Sequence, residues 1–133
     1  MKTMNTKLLM TISAIFMGLI GIGLSFIPDE ILEITGYLPS NEIKLGLQLA
    51  GALYLGFAMT NWMAKAVLIG GIYSKPLCIG NFSHFFIASL ALVKFMIRVG
   101  NFSIYMLILT IIYTVLAISF GYVLFTHPKQ KSH

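Results

Sequence analysis

The chain has 133 residues, 58% of them hydrophobic and 10% charged, with a mean hydropathy of +0.90. Nine basic and four acidic residues cannot cover a soluble domain, in which roughly 25% of residues are charged, so a soluble globular enzyme is excluded. The same hydrophobicity excludes intrinsic disorder. The net charge is +5, but the basic residues are scattered and form no aromatic-interleaved face, so no nucleic acid is expected as a partner. What remains is an integral membrane protein.

A helix needs about 20 mainly apolar residues to cross a hydrocarbon core of about 30 Å. Span one, over 8–27, follows Lys2 and Lys7 and carries Gly18, Gly21 and Gly23. Its apolar run exceeds the roughly 7–15 residues of a signal-peptide core and no Ala-x-Ala site follows, so it reads as a retained transmembrane helix. Pro28 ends it, and the connection holds Asp29, Glu30, Glu33, Pro39 and Glu42. That connection is long enough to lie partly in the interface. Span two, over 43–64, is the richest in small residues, with Gly46, Ala50, Gly51, Ala52 and Gly56. At about 100° per residue, Gln48, Gly51, Ala52, Leu55, Gly56 and Met59 share one face. At its end Asn61 caps or turns the chain, Trp62 anchors at the interface and Lys65 snorkels. Gly70, Gly71 and Pro76 separate it from span three, over 77–97, and Pro76 suits a helix start. Gly100-Asn101 marks a tight turn into span four, over 104–125, where Thr110, Thr114, Ala117 and Gly121 fall within a narrow arc. Pro128 closes that span.

Lys2, Lys7, Lys65, Lys75, Lys129 and Lys131 fall on one side of this arrangement, and Lys44, Lys94 and Arg98 on the other. The positive-inside rule then places both termini in the cytoplasm of a multi-pass cell-membrane protein. All four acids fall on the outer side. Trp62, Tyr37, Tyr73, Tyr105 and Tyr122 lie near span ends, where aromatic belts sit. Lipid competes equally for apolar side chains, so the small-residue seams are read as the packing faces of the helices. The expected fold is all-α, a single transmembrane domain over 1–133 built as a four-helix bundle.

Polar residues inside a membrane span are the functional candidates. On span three, His84, Ala91 and Arg98 recur every seven residues and stack on one face, with Asn81 beside them. Gln48 and Asn61 on span two complete the set of candidate ligand-binding residues. His84 reads as a ligand contact, a proton relay or a haem ligand. The competing reading is a structural hydrogen bond to Gln48, Asn61 or a span-four threonine. One histidine cannot make a bis-His haem site, and His127 and His133 lie too far towards water to help. Lys94 and Arg98 snorkel to the outer headgroups, or pair with the acidic loop as a lid or hold an anionic head group. The tetrapeptide Gly80-Asn81-Phe82-Ser83 recurs as Gly100-Asn101-Phe102-Ser103, which is read as coincidence, and the Asn101 sequon carries little weight because its turn hugs the membrane.

The absences are informative too. No span contains Asp or Glu, which weakens a proton-coupled exporter. A lone Cys78 removes any intramolecular disulfide, CxxC motif or multi-cysteine metal site. No Walker loop, HExxH or triad pattern occurs. Neither a catalytic residue, a metal site nor a cofactor is expected.

A glycine-bearing first span, then Pro28-Asp29-Glu30, then the run Gln48-Leu49-Ala50-Gly51-Ala52-Leu53-Tyr54-Leu55-Gly56, and a third span ending in a basic residue resemble small bacterial four-helix membrane proteins of the DoxX-like group. The resemblance implies a four-helix membrane fold. Some such proteins are similar to quinone-linked oxidoreductase subunits, but the paired cysteines and multiple histidines that would suit a redox role are missing here. The expectation is a non-enzymatic accessory or partner- and lipid-binding subunit, with the bilayer, a membrane protein or a second copy as partner. A quinone-linked redox accessory subunit is the first alternative, and a small solute transporter or pore the second.

Overall fold

The computed structural model describes residues 5–66 and 74–126, and every regular element within them is a helix. The helices are α1 (Thr6–Phe26), α2 (Pro28–Thr35), α3 (Asn41–Ala64), α4 (Lys75–Val99) and α5 (Ile104–Phe125). Four of them, with 21, 24, 25 and 22 residues, are long and apolar enough to cross a membrane, so the chain is of the all-α, multi-pass membrane class. They match the four spans read from hydropathy to within two residues at each end. The Gly70-Gly71 turn, Tyr73, His127, Pro128, His133 and the lysines Lys2, Lys129 and Lys131 lie outside the described residues.

The connection after span one is a correction to the sequence reading. It is a helix, α2, rather than a loop, so the described residues hold five helices instead of four. The local chemistry is sufficient to form it. Pro28 takes the first helical position, where its missing N–H costs nothing and its fixed φ is already helical. Asp29 and Glu30 follow in the first turn, facing the positive end of the helix dipole. Gly36 ends the helix in the left-handed region at φ 76°, and its N–H reaches Glu33 O while that of Tyr37 reaches Leu32 O. Eight residues are too few to cross a bilayer, which is why a reading by span length leaves them as a connection.

The described helices form two compact units, one over Lys7–Ala66 holding α1 to α3 and one holding α4 and α5. In the first, α1 and α3 run antiparallel, because Ser13 meets Asn61 while Gly21 and Ser25 meet Gly51. Their backbones nearly touch. A Cβ on Gly21 would stand 2.9 Å from Leu55 N and 3.0 Å from Gly51 O, and one on Gly51 would stand 2.8 Å from Ser25 N. Close backbone approach of this kind is how helices associate where lipid offers no hydrophobic drive. The glycines of span two are not equivalent, however. Gly46 and Gly56 face open space, and a methyl group on either would meet nothing within 4 Å. Ser40 caps α3 by accepting from Ile43 N, and Lys44 pairs with Asp29 to tie α2 to α3.

The second unit is a helical hairpin. Gly100, at φ 71°, donates its N–H to Met96 O and ends α4. Ser103 then caps α5 by accepting from Met106 N. The two helices interlock through rings: Phe85 stacks on Phe120 at 5.7 Å and 11° and meets Tyr113 edge-on at 5.6 Å. Phe82 lies against Gly121 and meets Phe125 edge-on. Of the seam expected in span four, Thr110, Ala117 and Gly121 are buried and Thr114 is half-buried.

Candidate functional site

The five candidate residues fall into three different situations. Asn61 is fully buried near the end of α3. Its Nδ2 donates to Ser13 Oγ at 3.0 Å and lies 3.9 Å from Met17 Sδ. Ser13 Oγ in turn donates to Met10 O at 3.0 Å. A carboxamide left without a partner in an apolar setting costs on the order of several kcal/mol. Here it is held by a relay that runs through α1. One turn on, the Lys65 ammonium sits over the Trp62 ring, 3.0 Å from its centroid. Asn61 therefore joins α1 to α3 rather than capping the helix, as its place in the sequence suggests.

Asn81 and His84 share a face of α4. Asn81 is fully buried and its Nδ2 donates to Leu77 O at 3.0 Å, a bond within its own helix. His84 is half-buried. Its ring meets Phe85 edge-on at 5.1 Å and lies tilted to Tyr113 at 6.0 Å. The imidazole therefore extends an aromatic cluster of Phe85, Tyr113 and Phe120. Among the described residues no group of three His, Cys, Asp or Glu could hold a metal ion.

Gln48 and Arg98 are exposed. The face of span two drawn through Gln48 divides in the structure. Gly51 and Leu55 turn to α1, while Gln48, Ala52, Gly56 and Met59 face outward. Arg98 lies in the last turn of α4, where a cation complements the carbonyl end of the helix. Of the four acids of the connection, Asp29 pairs with Lys44 of its own unit, and Lys94 is exposed like Arg98.

Two residues that matter here do not stand out in the sequence. Ser13 is a small hydroxyl in a strongly apolar span, and its only signal is its polarity at a depth matching Asn61 across an antiparallel pair. Tyr113 is buried in mid-span, away from the interfacial belts where tyrosines are expected. The chain matches no family model, no curated protein and no solved structure.

Proposed function

We propose that the protein is a non-enzymatic membrane subunit that works by docking, as an accessory to another membrane protein, with the start of α1 and the end of α5 facing the cytoplasm of the cell membrane. The observation that carries this reading is how the spans use their polar groups. Asn61 and Ser13 bond to each other across α1 and α3. Asn81, Ser89, Thr110 and Thr114 donate to carbonyls of their own helices. The outward faces are lined by long apolar side chains such as Leu19, Leu53, Ile97 and Ile118. With these groups bonded within or between the helices, and Gln48 the exception, the largely apolar exterior is the surface that remains for recognition. Purification of the tagged chain in a mild detergent, with mass spectrometry of what accompanies it, is the test. A membrane protein recovered at fixed stoichiometry is the expected result. A lone chain that moves solutes across liposomes would overturn the reading in favour of a transporter.

One observation favours a second reading. His84 and Phe85 of α4 and Tyr113 of α5 bring an imidazole and two rings together between two spans, a setting that suits a flat quinone ring. A quinone-linked redox accessory would copurify with a quinone and a coloured flavoprotein or haem protein, and a colourless, quinone-free preparation would count against it.

A further inference from the structure

A short groove of about 260 Å³ lies on the α1–α3 pair, between Ala14 and Ile15 of α1 and the last two turns of α3. Its floor is Ala14 and Ala58, both buried, and its walls are Ile15, Met59, Trp62 and Met63. The groove exists because small residues line the floor where the helices approach closely, with a Cβ on Gly18 3.7 Å from Ala58 Cβ, while the flanking side chains are long. A flexible hydrocarbon chain fits it, and methionine walls adapt to one readily.

The groove also has a polarity along its length. It begins with apolar side chains, reaches the indole of Trp62 and ends where the Lys65 ammonium lies over that indole. Trp62 stands in the last turn of α3, the level at which tryptophans meet the headgroups. Apolar floor, aromatic rim and cation follow the order of acyl chain, ester region and phosphate in a glycerophospholipid. The charge of this end is one-sided. Because α1 and α3 are antiparallel, Lys7 and Lys65 share it, while all four acids of the chain lie between 29 and 42, at the opposite end of the pair. A net negative headgroup is attracted there and a zwitterionic one gains less.

We propose that this groove binds one acyl chain of an anionic glycerophospholipid, whose phosphate is held by Lys65. The inference rests on the membrane reading above but not on the identity of any protein partner.

Trp62 is the chain's single tryptophan and forms a wall of the groove, so its fluorescence reports the occupant directly. The full chain is reconstituted in phosphatidylcholine with increasing brominated phosphatidylglycerol, and separately with brominated phosphatidylcholine. The expected result is a relative binding constant for phosphatidylglycerol of about five, the size of effect one interfacial lysine supplies. Lys65→Gln should bring it to about one, whereas Lys94→Gln, with the same loss of charge, should leave it unchanged. Three outcomes would overturn the proposal. They are a ratio near one in the natural chain, a ratio that survives Lys65→Gln, and a blue-shifted Trp62 that neither brominated lipid quenches, which would mean that protein covers the groove. A red-shifted, unquenched Trp62 would instead overturn the membrane reading itself.

Discussion

The two helical units join their helices by different means. In α1 and α3 the contact is backbone on backbone, around Gly21 and Gly51, with one buried carboxamide beside it. In α4 and α5 the contact is ring on ring, with Phe85, Tyr113 and Phe120 filling the space between the helices. Both avoid relying on a hydrophobic drive that lipid would cancel. The first gains close dispersion contacts by removing side chains, and the second by interlocking large ones. The first arrangement is therefore intolerant of added atoms, and the second of removed ones.

The largest expected effect is at the glycine crossing. Gly51→Val places a branched side chain against the backbone of α1, which cannot yield as a side-chain tip would. A loss on the order of 3 kcal/mol or more is expected, at the upper end of overpacking penalties. Gly56→Ala, further along the same helix but facing open space, should be neutral or slightly stabilising. Reversible unfolding in mixed micelles measures both, and equal losses would dissolve the contrast.

At the ring-on-ring contact, a double-mutant cycle of Phe85→Leu and Phe120→Leu should return a coupling of about 1 kcal/mol, within the range for aromatic pairs. A coupling near zero would mean that the rings act only through their volume. The smallest effect is expected at the carboxamide. A cycle of Asn61→Leu with Ser13→Ala should give a coupling of about 0.6 kcal/mol, the average for hydrogen bonds between membrane helices. A coupling well above that would make the polar contact, rather than the glycines, the dominant link in α1–α3.

These elements differ in how far the sequence reveals them. Span positions are legible because a bilayer imposes a length, and Pro28, Pro76 and Gly100 punctuate the runs. The packing edge of α3 is not. A 100° period groups Gln48 with Gly51, yet only a partner helix decides which edge of that arc is covered. Gly51 is covered and Gln48 is not. Asn61 stands out as a polar residue in a span, but its partner Ser13 becomes visible only once the antiparallel register sets the two at one depth. His84 is legible as a residue within a span, while its neighbour Tyr113 lies 29 positions away on another helix, a separation no local pattern can bridge.

The turn at Gly100 bears on the order in which the protein is assembled. Only residues 100–103 separate α4 from α5, whereas α1 and α3 are separated by α2 and its flanks. The entropy of closing a loop rises with its length, and contacts close in sequence form sooner. The aromatic hairpin can thus enter the bilayer as one preassembled element. The glycine crossing has a longer loop to close, but it can close as soon as α3 has been made, before α4 and α5 exist.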